Sequence, residues 1–582
     1  MRTSALAAAL VVTLAACDAV GPVNEPPPPP PTDPAALVAL LQADGDFDAF
    51  ATVAGEAGLD AATASGTTTT LAPDDEAFSL MGPETLAGLR AQPAVLAKVA
   101  RRHVLTVALD PSALADGDVL PTLEGTPLPV RVDDEGAVFV GGARLRGPVG
   151  RTASGPVYRL SRVVRDHLTV AERLGASPLL SRSAALFAAA GVDVGRPGTY
   201  FVPINVGYDR ALGGYAAFTR AETRALLTKT MQALVVPGVR LSAAELRERG
   251  AVETAAGTTL AVAVRDGVTV LGRDESAVVV ADVPAGQATV HLVDVPPQGH
   301  LTLLERVRFA PTLASFSTLL TNAGLTAELS GPGPYTVFSP TEASFDSLGA
   351  RGRTAVLTEP SLRTLLGRFH VVPGDVPASG LTAGRDLATL SPQPVAVRPD
   401  PARGGRLTVA RAVPVTALLD VPAANGRIHV VLGLLNPTLR PYDQLALSGF
   451  GAFRAVVLAT GYRGLLENGD PLTVAAPLQV NDQFFRPGFE CRARQLVEDH
   501  VGRGAAQYTP RSVGFTALSG ELVRYASAQR FELRQGETQL GASDVLYANA
   551  ALGDGGVLHG LQGRLRWYAL NGPAQNLPPC TG

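Results

Sequence analysis

Tyr335-Thr336-Val337-Phe338-Ser339-Pro340-Thr341-Glu342-Ala343-Ser344-Phe345 is the stretch from which the fold of this chain is read. Its β-branched and aromatic start predicts a strand. Pro340 cannot donate to a ladder and stops the strand, and Thr341-Glu342 opens a helix. The same order recurs in Thr69-Thr70-Leu71-Ala72-Pro73-Asp74-Asp75-Glu76-Ala77-Phe78. Two looser versions are Thr199-Tyr200-Phe201-Val202-Pro203, followed by Asn205, and Leu472-Thr473-Val474-Ala475-Ala476-Pro477, followed by Asn481, Phe484 and Phe485. The prolines Pro73, Pro203, Pro340 and Pro477 stand 130, 137 and 137 residues apart, so the chain repeats itself.

Upstream of each such stretch lies a helical pattern that ends in glycine. Phe47, Phe50 and Val53 precede Gly58-Leu59, and Leu186 and Ala190 precede Gly191-Val192. Phe316, Leu319 and Leu320 precede Gly324-Leu325, and Phe453, Val456 and Val457 precede Gly461-Tyr462. Spacings of three and four put the apolar residues on one helix face. The glycine falls where a left-handed C-cap is required.

Downstream, each copy closes on a turn and an apolar strand: Gly155-Pro156-Val157-Tyr158-Arg159-Leu160, Thr289-Val290-His291-Leu292-Val293, Asn425-Gly426-Arg427-Ile428-His429-Val430-Val431, and Gly555-Gly556-Val557-Leu558-His559-Gly560-Leu561. Tyr158, His291, His429 and His559 take equivalent places. A central element ends in Arg102-His103-Val104-Leu105 in the first copy and Phe369-His370-Val371-Val372-Pro373-Gly374 in the third. The second copy has Leu234-Val235-Val236-Pro237-Gly238 without the histidine, and the fourth holds His500 in looser register. Strands are expected after it, at 128–132, 137–140, 258–264 and 268–271.

This ensemble resembles the fasciclin domain. That family carries a segment like Thr-Leu-Phe-Ala-Pro-Thr-Asp-Glu-Ala-Phe, matched by 69–78 and 335–345. It has a central histidine after a helix, matched by His103 and His370, and a closing Asn-Gly-x-x-His motif, matched best by 425–431. The resemblance covers nearly all of residues 35–570 and is stronger in copies one and three. It implies an α+β fold: four tandem fasciclin-like modules, each a β-sandwich-like wedge of strands with a helical layer. Their expected bounds are 35–167, 168–307, 308–440 and 441–582, the second and fourth diverged.

With 582 residues, of which 46% are hydrophobic, the chain can fill several cores at roughly 100–200 residues per domain. A net charge of −4 with scattered arginines supplies no field for nucleic acid. No Gly-x-Ser-x-Gly elbow, His-Glu-x-x-His, P-loop or Cys-x-x-Cys is present in the sequence, so no enzyme is expected. The recurring histidines read as structural, because Leu234 and Tyr158 replace them in two copies. No metal or cofactor is expected. Asp74-Asp75-Glu76 is read as helix N-terminal charge balance rather than a calcium site. Trp567 lies in an apolar run and reads as core.

The first 17 residues read as a lipoprotein signal peptide. Ala5 to Leu14 is apolar but too short to cross a bilayer core of ~30 Å. Leu14-Ala15-Ala16-Cys17 resembles a bacterial lipobox, which implies a lipidated Cys17 as the mature N-terminus. Asp18 resembles an inner-membrane retention signal of some sorting systems, a rule that varies between bacterial groups, so the choice of membrane is left open. Residues 18–34 contain six consecutive prolines, Pro26 to Pro31, a semi-rigid polyproline II spacer rising ~3.1 Å per residue. Export permits a disulfide between Cys491 and Cys580, which would tie the C-terminal tail to the last module; two free thiols are the alternative.

An anchor, a spacer and repeated modules point to a cell-envelope protein whose partner is a protein or polysaccharide on cells or matrix. The family resemblance also implies adhesion, since fasciclin-like modules recur in cell-adhesion and extracellular-matrix proteins. A different class, a binder of a small apolar or lipid-like ligand, requires a sizeable apolar pocket.

Overall fold

The computed structural model describes residues 36–565, apart from 65, 382–385, 401–405, 411–412, 415–418, 438, 469, 506–512, 528, 536, 552–555 and 563. The signal segment with Cys17, the 18–34 spacer, Trp567 and Cys580 lie outside the described residues. The chain divides into two compact units, Met1–His300 and Leu301–Gly582.

In the first copy, helices Leu37–Asp44, Asp48–Glu56 and Leu59–Thr63 lead into strand Thr69–Pro73. Helices Asp75–Met81, Pro83–Arg90 and Pro93–Arg102 follow. The strand Thr69–Pro73 is buried throughout and sits inside a seven-stranded sheet. Val104–Leu105 pairs with it antiparallel on one side, and the closing strand Gly155–Leu160 pairs parallel on the other. The sheet then continues through Ala143–Thr152, Val138–Val140, Leu128–Val132 and Val119–Leu120. Val235–Pro237, Gly198–Pro203, Ala288–Val293, Ser276–Ala285, Val268–Leu271, Thr259–Arg265 and Ala251–Glu253 repeat that order within the first unit.

In the second unit, Tyr335–Pro340 lies between Val371–Pro373 and the parallel Gly426–Val431, with Val421–Ala423 beyond. Four further strands, Asp386–Leu387, Val395–Asp400, Arg406–Val409 and Val413–Pro414, form a separate sheet among the described residues. The last part of the unit returns to seven strands: Val501–Arg503, Leu472–Pro477, Val557–Leu561, Thr538–Ala551, Arg530–Gln535, Leu522–Ser527 and Gly514–Thr516.

Each central strand serves two cores because successive side chains point to opposite faces. Ala72 packs with Phe47, Phe50, Leu96 and Val99 of the helical layer. Leu71 packs with Leu128, Val130, Val140 and Leu160 from across the same sheet. Val474 and Ala476 face Phe453 and Leu496, whereas Ala475 faces Val523, Phe531 and Leu533. The mixed helix and strand content matches the α+β expectation. The expected wedge is realised as one seven-stranded ladder in the first, second and fourth copies, and among the described residues as two four-stranded sheets in the third.

One expected boundary is corrected. The division at 307/308 falls inside the helix Leu303–Phe309, whose first residues are held by their own unit: Asn425 Oδ1 accepts from Leu303 N at 2.8 Å. The unit division at His300/Leu301 places that helix at the head of the third copy. It then lines up with Leu37–Asp44, Val170–Ala176 and Pro441–Leu447, which lead the other three.

Candidate functional site

The repeated landmark residues converge on the central strand of each copy. Each landmark proline ends its strand opposite the same place in the closing strand: Pro73 on Leu160, Pro203 on Val293, Pro340 on Val431 and Pro477 on Leu561. The landmark glycines Gly58, Gly191, Gly324 and Gly461 all have positive φ, from 65° to 80°, so the left-handed turn their residue type permits is used four times.

The central histidines share one geometry. His103 Nδ1 lies 2.9 Å from Val99 O, and its Nε2 accepts from Val164 N at 2.9 Å. His370 repeats this with Leu366 O at 2.8 Å and Leu435 N at 2.9 Å, and His500 with Leu496 O at 2.7 Å and Leu565 N at 3.0 Å. A carbonyl only accepts and an amide only donates, so each ring is neutral with its proton on Nδ1. Each ring also sits against a phenylalanine of the helical layer: Phe50 at 5.7 Å, Phe316 at 5.3 Å and Phe453 at 5.8 Å. Burial pushes the His103 and His370 imidazoles down to about 4.

The closing histidines use the other tautomer. His291 Nε2 donates to Leu241 O at 2.9 Å, and His429 Nε2 to Val376 O at 2.9 Å. Their Nδ1 atoms accept from Asp282 N at 3.3 Å and Asp420 N at 3.2 Å. Both aspartates hold positive φ, 58° and 55°, and their carboxylates cap Ala243 N and Ala378 N. Burial lowers both imidazoles. His559 Nε2 lies 3.2 Å from the Tyr525 hydroxyl, whose pKa burial raises. Tyr158 occupies the first copy's place half-buried, its phenol also raised by burial.

One repeated residue went unread in the sequence. Thr69 Oγ1 donates to Val107 O at 2.8 Å and accepts from Leu109 N at 2.9 Å. Thr199 and Thr336 make the same pair of bonds with Val239 O and Leu241 N, and with Gly374 O and Val376 N. Thr473 donates to Gly504 O at 2.6 Å. A threonine four positions before each landmark proline was the available signal.

Within each unit, the leading helix of the second copy packs on helices of the first. Lys98 Nζ meets Glu172 at 3.1 Å, and Gly88 lies so close to Ala176 O that a Cβ would stand 2.0 Å from it. In the second unit the residue at the Glu172 position is Asp443, which accepts from Ser361 Oγ at 2.9 Å, while Arg454 pairs with Glu359 at 2.5 Å. Beside that junction runs an open groove of ≈ 470 Å³, with Arg351, Thr354, Glu359, Ala446, Gly449 and Ala452 among its lining residues.

Asp74 caps its helix by accepting from Ala77 N at 2.9 Å, while Asp75 accepts from Ala49 N at 2.9 Å. Cys491, on helix Glu490–His500, is disulfide-bonded. Among the described residues, no three His, Cys, Asp or Glu side chains are placed to share a metal ion. No helix there is long and apolar enough to cross a membrane.

The fasciclin domain model matches residues 45–165, 180–296 and 311–437. Transforming growth factor-beta-induced protein ig-h3 of Sus scrofa is 25% identical over 422 residues, 69% of this chain and 60% of that protein. Stabilin-1 of Mus musculus is 38% identical over 130 residues, 22% of this chain and 5% of that protein. The chain thus spans less than two thirds of either relative. A solved domain pair from the insect cell adhesion molecule fasciclin I is 18% identical, covers 44% of this chain and 97% of its own, and superposes with a TM-score of 0.22. With the family model matched over more than half its length, the chain belongs to the fasciclin domain family.

Proposed function

We propose that this protein is a non-enzymatic adhesion or matrix-interaction lipoprotein of the cell envelope. Four fasciclin modules, 35–167, 168–300, 301–440 and 441–582, stand on a polyproline spacer anchored through an acylated Cys17. The observation that carries this reading is the repetition of one strand-and-histidine frame, which presents similar surfaces several times along one chain. Weak contacts to a cell-surface or matrix protein, or to a polysaccharide, then add by avidity. Residues 441–565 are counted as the fourth module because their sheet order copies that of modules one and two, the Pro477–Leu561 pairing recurs in all, and the His500 bridge copies those of modules one and three. The Cys491–Cys580 bridge would secure its tail, with ~4 kcal/mol as an upper figure for so long a loop.

The test is surface display of the whole chain beside a chain lacking residues 301–582, scored for retention on cells and on matrix. Stronger retention by the whole chain is expected; equal retention removes adhesion. Acylation is read by mass spectrometry of the wild type and of Cys17→Ser; an unacylated wild type removes the anchor. The alternative, a small apolar ligand, has less support: the groove beside the second junction is open and partly lined by Arg351, Glu359 and threonines.

A further inference from the structure

Module three takes hold of module four at two positions that can be counted back from its central histidine. Ser361, nine residues before His370, donates to Asp443 on the leading helix Pro441–Leu447. Glu359, eleven residues before it, pairs with Arg454 on the next helix, Gly451–Ala459. Helix Gly349–Thr358 completes the grip: a Cβ on Gly352 would stand 3.0 Å from Leu447 O, at the end of that leading helix.

Counted back from His500, the same two positions in module four are Cys491 and Phe489. A thiol and a ring replace the two polar holds. Helix Gly349–Thr358 has no counterpart among the described residues, since only 486–489 separate the turn Asp482–Phe485 from the helix Glu490–His500. Phe489 is half-buried and Phe485 is 46% exposed. Cys491 is disulfide-bonded, so another stretch of chain reaches this face. The chain also leaves module four close by. Leu565 N donates to His500 Nε2 as Leu435 N does to His370, and the Arg564 guanidinium lies 5.3 Å over the Phe484 ring. Eight residues carry the chain from Leu435 to Asp443 at Ser361. Fifteen separate Leu565 from Cys580, and at ~3.3 Å each they are more than enough for the same route.

We propose that residues 566–582 dock on module four at the face where module three receives its neighbour, held by a Cys491–Cys580 bond and by packing of Trp567, Tyr568 and Leu570 on Phe485 and Phe489. The proposal rests on that disulfide pairing, Cys17 being the acylated cysteine, and is independent of adhesion. From Trp567 to Gly582 the tail carries no charged side chain, which suits it to an apolar face. Pro573, Pro578 and Pro579 oppose a copy of the leading helix, so the strap is extended, and they reduce the entropy it loses on docking. A row of modules needs a cap where stacking stops, and here the tail is that cap. It closes the face to the leading helix of a second copy.

Trp567 is the only tryptophan of the chain, so its fluorescence in the full-length protein reads the strap directly. Blue-shifted emission is expected, with acrylamide quenching severalfold weaker than in the urea-unfolded chain. A non-reducing peptide map is expected to join the Cys491 and Cys580 peptides. Cys580→Ala and Phe489→Ser are each expected to raise the quenching severalfold, while hydrogen exchange of the core peptide 496–501 stays as in the wild type. Phe485→Ser, at an exposed position, replaces Phe489→Ser if that variant folds poorly. The proposal is overturned if Cys491 is joined elsewhere, if wild-type Trp567 is as quenchable as in urea, or if its quenching ignores these substitutions. Weak retention in the display assay beside a protected Trp567 removes adhesion and keeps the strap, so the two readings fail separately.

Discussion

Modules three and two differ at one buried point, and the difference explains what the central histidine is for. In module three, His370 ties Leu366 O to Leu435 N. In module two the same place is Leu234, yet the backbone keeps its register: Phe201 N donates to Leu234 O at 2.8 Å, as Phe338 N does to His370 O at 2.9 Å. The amide that would serve a ring in module two has vanished as well. Val164, Leu435 and Leu565, the three donors, each lie four residues past the closing-strand residue that faces the landmark proline. Four residues past Val293 is Pro297, which has no N–H. Histidine and backbone donor were exchanged as a pair, so the ring acts as a clamp between a helix end and the chain leaving the module.

The comparison can be broken most directly by removing the clamp. His370→Leu strands Leu435 N and removes the ring's bond to Leu366 O, which keeps the backbone N–H of residue 370, and is expected to destabilise module three by about 3 kcal/mol. Urea unfolding followed by hydrogen exchange of each module separately measures it; a loss below about 1 kcal/mol would show that the clamp is dispensable. Acid comes next. The folded imidazole sits at about 4 and the unfolded one at about 6.5, so the unfolded chain takes the proton first as pH falls. The stability from His370 is whole above pH 6.5 and drains away towards pH 4, by roughly 3 kcal/mol. Module two carries only His291 at its landmark positions and is expected to lose less. Parallel acid titration curves for the two modules would contradict this.

Smaller effects sharpen the pairing. Leu234→His alone buries a ring nitrogen opposite a proline and is expected to cost module two about 2 kcal/mol. Adding Pro297→Leu supplies the donor and is expected to recover at least half of that in a double-mutant cycle. Additivity of the two changes would refute the coupling. The smallest effect is a control. Thr199→Val and Thr336→Val remove a bridge that both modules retain, and each is expected to cost about 1 kcal/mol, measured in the same assay. A clear inequality would mean that the two frames differ in more than the clamp.

Much of the frame was legible because it rests on residue types with few alternatives. Glycine at a left-handed turn and proline at a strand end mark places where backbone geometry excludes most side chains. Gly58, Gly191, Gly324 and Gly461 therefore located four helix ends, and Leu128–Val132 and Val268–Leu271 appear as strands where apolar alternation placed them. The threonine bridges were hidden because threonine is also an ordinary strand former, and nothing local marks Thr69 as reaching Val107 and Leu109. The distant partners of His103, His291, His370, His429 and His500 were hidden because they are backbone groups 50 to 65 residues away, with no side-chain signature. The 307/308 boundary failed because the capping box of Thr302 and Glu305, which announces the helix Leu303–Phe309, was passed over.

The parallel pairing of each module's central strand with its closing strand has a mechanical consequence. The chain enters a module ahead of the central strand and leaves it after the closing strand. A pull on the two ends therefore drags these neighbours in opposite directions along their length. The paired hydrogen bonds, six registered positions in Tyr335–Pro340 against Gly426–Val431, must then slide together instead of opening one at a time like a zip. A chain tethered at one end and held at the other would meet tension with its strongest geometry.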